Sequence, residues 1–240
     1  MKRQTTVLLV VGAVVLVAAI ERHVISTNSL LILAVIVPSI IFHEVSHGLV
    51  ALGFGDDTAK RAGRLTLNPL PHIDPFGTII LPAVLTLSGA GAFGYAKPVP
   101  VNVERLRHPR NQGLLVSLAG PVTNLLLVAG SILWLRSRLS PPAVLTLRFQ
   151  FNSAPLVDRL VFDLGWVNVI LAIFNLLPLP PLDGSAVVER LLPRRWWPQW
   201  LRLRQYAMPA LLILVLLLPG VLNRIFAPGL RLYTGRALPV

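Results

Sequence analysis

Two histidines four residues apart occur in the stretch Ile41-Phe42-His43-Glu44-Val45-Ser46-His47-Gly48, near the end of an apolar run over residues 29–54. On an α-helix, residues i and i+4 lie on one face, so the imidazoles of His43 and His47 can bind one metal ion together. Glu44 lies one residue further round the helix, where its carboxylate can reach a water molecule at that metal. The pattern H-E-x-x-H therefore predicts two zinc ligands and a general base, the arrangement of zinc peptidases.

The setting of this motif is unusual, because the surrounding segment is apolar on nearly every side. A charged side chain at the centre of a membrane span costs ~2.5–3.5 kcal/mol, so ionisable residues there indicate a function by default. The alternative is that His43 and His47 lie at a membrane interface and extend towards water without binding a metal. A third ligand elsewhere in the chain would favour the metal site.

The composition predicts an integral, multi-pass protein of the cell membrane, which we interpret as a single domain over residues 1–240. The chain is 54% hydrophobic and 13% charged, whereas soluble domains carry roughly 25% charged residues. The net charge of +12 comes mainly from arginines between apolar runs. This pattern favours contact with the lipid bilayer and its anionic head groups over binding of nucleic acid. Because cysteine is absent, any metal must be bound by imidazole and carboxylate groups.

The hydropathy pattern predicts an all-α polytopic fold. The stretches that we interpret as spans are residues 5–20, 29–54, 112–135, 161–177 and 206–226. The first also fits a signal peptide, but we interpret it as a retained span. Residues 75–94 are apolar but interrupted by proline and glycine, so they either cross the membrane or form a re-entrant element. Before them, residues 62–69 alternate as in a β-strand or hairpin and end in an Asn-Pro turn.

The third metal ligand is expected among the acidic residues in or near the spans, which are Asp74, Asp163 and Asp183. Asp183 is the strongest candidate, because it follows a proline-rich break and precedes a glycine. Irregular backbone at membrane depth is tolerated only where it is buried in protein or lines a cavity, and such a bend could direct the carboxylate inward. The alternative role for Asp183 is the N-cap of a helix over residues 184–192.

Several motifs together resemble the site-2 proteases, which are zinc intramembrane proteases that cleave transmembrane segments of regulatory proteins. The motifs are HEVSH at residues 43–47, KPVPVN at 97–102, SLAGPVTN at 117–124 and NLLPLPPLDG at 175–184, and residues 67–78 also fit. The resemblance covers residues 29–192 and implies that His43, His47 and Asp183 bind one Zn²⁺ per chain, with Glu44 as the base. Many relatives carry a peptide-binding PDZ or a nucleotide-sensing CBS domain. No connection here is long enough for either, so we expect a minimal core and, if it is regulated, a separate regulatory protein.

The function implied by this resemblance is zinc-dependent hydrolysis of peptide bonds within or near the transmembrane helices of other membrane proteins. A neutral donor can stabilise the oxyanion of this reaction. We predict Asn175 as that donor and Asn124 as the second candidate, although an interhelical hydrogen bond is an equal alternative for Asn124. His72 and Asp74 either pair near the metal or order their own loop. The alternative function is a membrane zinc-binding or transport protein without catalytic activity.

The depth of Asp183 constrains the topology. With Met1 in the cytoplasm, His43 and His47 lie near the cytoplasmic face, and Asp183 reaches them only if residues 75–94 are re-entrant. That topology places 14 of the 22 lysine and arginine residues on the cytoplasmic side, as the positive-inside rule favours. We therefore predict five full crossings, a cytoplasmic-side zinc site and an external C-terminus.

Overall fold

The computed structural model describes residues 27–82, 84 and 94–238, so the predicted first span lies outside the described part, as do residues 85–93 of the predicted re-entrant segment. The regular secondary structure of the described part is entirely helical. The α-helices are α1 (Thr27–Gly53), α2 (Thr58–Arg61), α3 (Pro109–Arg138), α4 (Pro141–Phe149), α5 (Leu156–Asn175), α6 (Ser185–Leu191), α7 (Trp197–Arg204), α8 (Ala207–Leu217) and α9 (Pro219–Ala237). Short helical turns lie at Leu70–His72, Pro75–Ile80, Val103–Arg105, Phe151–Ser153 and Arg194–Trp196.

The core of the protein is a bundle of α1, α3 and α5. Helix α3 runs antiparallel to α1, because His47 meets Val116 and His43 meets Asn124. Gly120 of α3 is buried between these two contacts. Small residues at such a crossing let two helices approach closely, and here the approach places α3 directly against the histidines.

Helix α5 runs parallel to α1. The centres of the two helices are joined by a hydrogen bond of 2.8 Å from Asn168 Nδ2 to Ser39 Oγ, and both residues are fully buried. At the N-terminal ends, the guanidinium of Arg159 donates to Oδ1 of Asn28. The parallel direction brings the C-terminal end of α5 to the level of the histidines of α1.

The connection from α1 to α3 begins and ends on one side of the bundle. The amide of Arg107 donates to Phe54 O over 3.4 Å, and the amide of Tyr95 donates to Gly77 O over 3.0 Å. The chain therefore returns at Tyr95 to the place that it left at Gly77. Residues 85–93 lie outside the described part, so the choice between a re-entrant element and a full crossing stays a prediction.

Two described helices, α1 and α3, are long and apolar enough to cross a membrane. The pair α7 and α8, bent by 57°, is a third candidate if it counts as one span. Helix α5 has 20 residues but carries Asp158, Arg159 and Asp163. The described part agrees with a polytopic helical protein, while the number of crossings stays a prediction.

The predicted strand at residues 62–69 is wrong, because this stretch forms turns. Its side chains bond to its own backbone: the amide of Asn68 donates to Thr66 Oγ1 over 3.1 Å, and the amide of Leu70 donates to Asn68 Oδ1 over 3.1 Å. Local bonds of this kind compete with the ladder of a sheet. The alternation of residues therefore did not indicate a strand.

The predicted last span at residues 206–226 is interrupted. Helix α8 ends at Leu217 and α9 begins at Pro219, since proline lacks an amide hydrogen and fits the first turn of a new helix. Helix α9 packs against α3 and α5, where Tyr233 is buried and donates to Phe162 O over 2.9 Å. The C-terminal helix is thus part of the core that supports α5.

Candidate metal centre

Three side chains meet near the C-terminal end of α1. Nε2 of His43 and Nε2 of His47 are 3.1 Å apart. Oδ2 of Asp183 lies 3.1 Å from the first nitrogen and 3.5 Å from the second. Within the described residues, this is the one group of three or more histidine, cysteine or acidic side chains that could hold a metal ion. The structure therefore brings together the three residues that the sequence predicts as ligands.

The carboxylate of Asp183 reaches the histidines because the chain bends sharply after α5. The amide of Gly184 donates to Asn175 O over 2.6 Å and closes the proline-rich loop. A Cβ atom at Gly184 would lie 2.5 Å from Leu177 O, so this close approach requires glycine. Helix α6 begins at Ser185 without a side-chain cap. The side chain of Asp183 thus faces the histidines and does not take the N-cap role.

Contacts with α3 fix both imidazoles. Nδ1 of His47 lies 2.7 Å from Val116 O, and Nδ1 of His43 lies 3.2 Å from Asn124 Oδ1. Since a carbonyl oxygen only accepts, Nδ1 is the protonated nitrogen of His47, and the same assignment satisfies His43. The unprotonated Nε2 atoms then face Asp183, which is the arrangement of metal-binding histidines.

The spacing and the free space at the cluster fit a zinc ion. Tetrahedral ligands at about 2.0–2.1 Å from zinc lie about 3.3 Å from one another, close to the three observed distances. Oδ2 of Asp183 is buried and has no hydrogen-bond donor among the described residues. A Cβ atom at Gly120 would lie 2.5 Å from Nε2 of each histidine, so glycine there keeps the space beside the rings open. Two imidazoles and a carboxylate are a donor set that zinc accepts.

Glu44 lies beside this cluster and is held by residues 97–100, which we call the strap. The amide of Val99 donates to Oε2 of Glu44 over 2.8 Å. Both neighbours of Val99 are prolines, which have no amide hydrogen, so residues 98–100 offer a single backbone donor. That donor is bonded to Oε2 of Glu44.

Arg64 anchors the strap. Its Nη2 donates to Lys97 O over 2.6 Å and to Pro98 O over 3.3 Å. Arg64 is 6% exposed; burial lowers the pKa of its guanidinium below the ordinary value, and the negative charge of Glu44 opposes that effect. Arg64 therefore acts on Glu44 both through the strap and through its charge.

Asp56 is fully buried and anchors Asn102, two residues beyond the strap. Its Oδ2 accepts from the amide of Asn102 over 2.6 Å, and its Oδ1 accepts from the amide and the hydroxyl of Thr58. Burial raises the pKa of Asp56, but these hydrogen bonds and the charge of Arg105 lower it more, so the pKa lies below its usual value. Asp56 is thus an ionised anchor of the connection around Glu44.

The two predicted oxyanion donors lie in different surroundings. Asn124 is fully buried and makes the interhelical contact with His43, and its Nδ2 has no partner among the described residues. Nδ2 of Asn175 donates to Leu171 O over 3.0 Å. Their catalytic roles stay predictions, and Asn124 is the one with an unused buried donor next to a ligand.

His72 and Asp74 each bond to the backbone of their own connection. Nε2 of His72 lies 3.0 Å from Thr66 O. Oδ1 of Asp74 accepts from the amides of Phe76 and Gly77 over 3.1 Å and 2.7 Å. These bonds correspond to the loop-ordering alternative.

Sequence reasoning missed the residues that hold the site in place. Arg64 and Asp56 lie in a polar connection, where the sequence alone does not separate a buried anchor from a solvated charge. Two signals were present: the single amide of the Pro-Val-Pro tripeptide around Val99, and Gly120 one helical turn before the polar residue Asn124.

Comparison with known proteins identifies a matching family and several relatives. The model of Peptidase family M50 matches residues 144–218, which include Asp183. The chain is 43% identical over 159 residues to the "Putative zinc metalloprotease YwhC" of Bacillus subtilis (strain 168), a match that covers 66% of this chain and 67% of that protein. It is 33% identical over 198 residues to the "Putative zinc metalloprotease Rip2" of Mycolicibacterium smegmatis, covering 82% of this chain and 70% of that protein. No solved structure matches the chain. Because the similarity extends over about two thirds or more of both relatives, the chain belongs to peptidase family M50, the site-2 protease family.

Proposed function

We propose that this protein is a zinc-dependent endopeptidase that hydrolyses peptide bonds within or next to the transmembrane helices of other membrane proteins. Family membership supports a membrane metalloprotease. The observation that carries the finer proposal is the convergence of His43, His47 and Asp183 between apolar helices, with Glu44 beside them. A hydrolytic site in such surroundings suits a substrate segment that itself lies in the membrane.

We propose one Zn²⁺ per chain, bound by His43, His47 and Asp183. When bound, zinc supplies a Lewis acid that polarises a water molecule and a peptide carbonyl. The chain contributes the orientation of the ligands, since Val116 O and Asn124 Oδ1 hold the imidazoles with Nε2 towards Asp183. Partners of this kind behind a metal ligand typically change metal affinity by about 10–100-fold.

Glu44 is the general base of the proposed reaction. Its carboxylate accepts a proton from the attacking water and returns it to the leaving amine. The Val99 amide on Oε2 fixes the direction of the carboxylate, and we assign the other oxygen to the reacting water. Arg64 keeps Val99 in place through the strap.

A neutral donor for the developing oxyanion completes the site. Asn124 is the stronger of the two candidates, because its buried Nδ2 is unpartnered and its Oδ1 already contacts His43. Nδ2 of Asn175 carries two hydrogens, and one of them is donated to Leu171 O. Asn175 could therefore stabilise the oxyanion only through the other hydrogen. The substrate helix must unwind locally before attack, since its carbonyl groups are engaged in helical hydrogen bonds.

The test is to compare the membrane proteomes of cells that carry the wild-type chain and the Glu44→Gln variant. The variant should retain one equivalent of zinc, because Glu44 is not a ligand, and cleavage should fall by about 10²–10⁴-fold. A transmembrane precursor should therefore accumulate in the variant cells. The matched control is Glu104→Gln, an exposed acid in the same connection as the strap, which should leave the proteome unchanged.

Two results would contradict the proposal. If Glu44→Gln cleaves at the wild-type rate, Glu44 is not the general base and the proposed mechanism is wrong. If Asp183→Ala retains zinc fully, Asp183 is not the third ligand.

A further inference from the structure

A cavity of about 380 Å³ lies between α1 and α5, away from the metal centre. Its described lining is Ile32 and Ile36 of α1, Phe151, and Phe162, Asp163, Trp166, Val167, Ile170 and Leu171 of α5. The lining is apolar apart from one carboxylate, that of Asp163. A carboxylate within an apolar membrane helix is costly and typically has a partner.

Asp163 has no such partner in the described part of the chain, where no hydrogen bond or ion pair reaches it. Arg159, one turn earlier, attracts it electrostatically. The guanidinium of Arg159, however, donates to Asn28 Oδ1 and lies 5.2 Å over the ring of Phe151. The nearby hydroxyl of Tyr233 donates to Phe162 O. Within residues 27–82, 84 and 94–238, no group is therefore bonded to the carboxylate of Asp163.

The cavity has the chemistry of a site for an ammonium or guanidinium group on an apolar stem. The rings of Phe162 and Trp166 lie 5.9 Å apart, next to Asp163. Aromatic faces attract cations, more strongly when water is excluded, and the aliphatic lining suits the methylene stem of a lysine.

We propose that this cavity binds a basic side chain of the transmembrane helix that the protein takes as its substrate. The proposal rests on the proposed function and deepens it, because it names a feature of the substrate. Asp163 precedes Asn175, at the level of the metal centre, by twelve residues, which is about 18 Å of helix. A substrate helix that lies along α5 therefore carries its lysine or arginine about twelve residues from the bond that is cleaved.

The probe is a pair of synthetic transmembrane peptides of leucine and alanine with a central Gly-Asn pair. One peptide carries a lysine twelve residues from the centre, and the other carries norleucine there, which has a similar stem without the charge. Binding to the Glu44→Gln protein in phosphatidylcholine nanodiscs is measured by energy transfer. The lysine peptide should bind about tenfold more tightly than the norleucine peptide, and Asp163→Asn should reduce this ratio to less than about threefold.

The matched control is Asp158→Asn, which removes an acid from the same helix outside the cavity and should keep the tenfold ratio; Asp163→Glu should largely keep it too. A ratio near one in the Asp163 protein overturns the proposal, as does an unchanged ratio in Asp163→Asn with normal zinc content. Retention of phosphatidylethanolamine that depends on Asp163, without a lysine preference, would assign the cavity to a lipid and also overturns it. Cleavage by the wild-type protein is measured separately. Cleavage without a binding preference for the lysine peptide contradicts only this proposal. A binding preference without cleavage contradicts only the proposed function.

Discussion

The two ends of α1 differ in how their polar side chains are paired. At the C-terminal end, His43 and His47 each have one nitrogen bonded to α3 and the other directed at Asp183. At the N-terminal end, Arg159 donates to Asn28 Oδ1, while Asp163 in the neighbouring cavity has no hydrogen bond or ion pair to any described residue. At the C-terminal end, three ligand atoms converge on one point and suit a bound metal ion. At the N-terminal end, a single carboxylate suits a basic group of another molecule.

The glycines of α3 show the same contrast within one helix. A Cβ atom at Gly120 would lie 2.5 Å from the Nε2 atoms of His43 and His47, whereas nothing lies within 4 Å of a Cβ at Gly130. The face of α3 at Gly120 is therefore closely packed against the histidines, whereas the face at Gly130 is open. Substitutions at the two positions test this difference.

The largest effect is expected for Gly120→Ala. The added methyl group occupies the space beside both imidazoles, so the zinc content should fall from about one equivalent to nearly none, with cleavage lost as well. Gly130→Ala is the matched control and should keep zinc, because that position is open. Zinc is measured by elemental analysis of the purified proteins. Full zinc in Gly120→Ala would mean that the rings can move aside and that the close packing does not define the site.

A smaller effect is expected for Asn124→Leu. This change removes the acceptor of the His43 Nδ1 hydrogen while it keeps a similar volume, so zinc affinity should fall by about 10–100-fold. Asn124→Asp keeps an acceptor oxygen and should retain most of the affinity. Competition with a zinc chelator measures both variants. Equal affinities of the leucine variant and the wild type would show that α3 does not orient His43.

The proximity of His43, His47 and Asp183 could be predicted from the sequence, because a helix fixes the relation of residues four apart and a proline-rich break marks Asp183. The strand at residues 62–69 could not, since Thr66 and Asn68 bond to their own backbone. Such bonds depend on side-chain geometry that alternation does not encode. The break before Pro219 follows from the missing amide hydrogen of proline, whereas the hydropathy of residues 206–226 indicates one continuous span.

The residues around Glu44 were not predictable for a different reason. Arg64 and Val99 are far apart in sequence and meet only when the connection folds over α1. Their proximity is a tertiary property, and the H-E-x-x-H motif alone predicts a base without the residues that support it. The next two predictions test that support.

Arg64→Met should lower kcat by about tenfold with little change in KM or zinc content, because the strap then holds Glu44 less firmly. Arg64→Lys should restore part of kcat, since a lysine can donate to Lys97 O or Pro98 O. Arg61→Met is the control, as Arg61 is exposed and pairs with Asp57 on the surface. A loss of zinc together with kcat in Arg64→Met would indicate a general structural defect and would contradict a positioning role.

The smallest effect concerns Asp56 and the pH dependence of stability. Its pKa is lowered in the folded protein, chiefly because hydrogen bonds from Thr58 and Asn102 outweigh the effect of burial. A lowered pKa means that the ionised carboxylate stabilises the fold above the pKa of the unfolded chain, about 3.9. This contribution is lost as the pH falls through the folded pKa, which lies below that value.

Asp56→Asn should therefore be less stable than the wild type at pH 7, by about 1–3 kcal/mol, and the difference should shrink below about pH 4. Thermal unfolding in nanodiscs between pH 3 and pH 7 measures both proteins. Asp57→Asn is the control: Asp57 forms ion pairs with Arg61 and Arg105 at the surface, and exposed pairs contribute about 0–1 kcal/mol. A difference between wild type and Asp56→Asn that stays constant with pH would show that the carboxylate is not an ionised anchor. In that case the charge of Asp56 would not stabilise the connection around Glu44. Of these two anchors, only Arg64 would then contribute a buried charge at the metal end of α1.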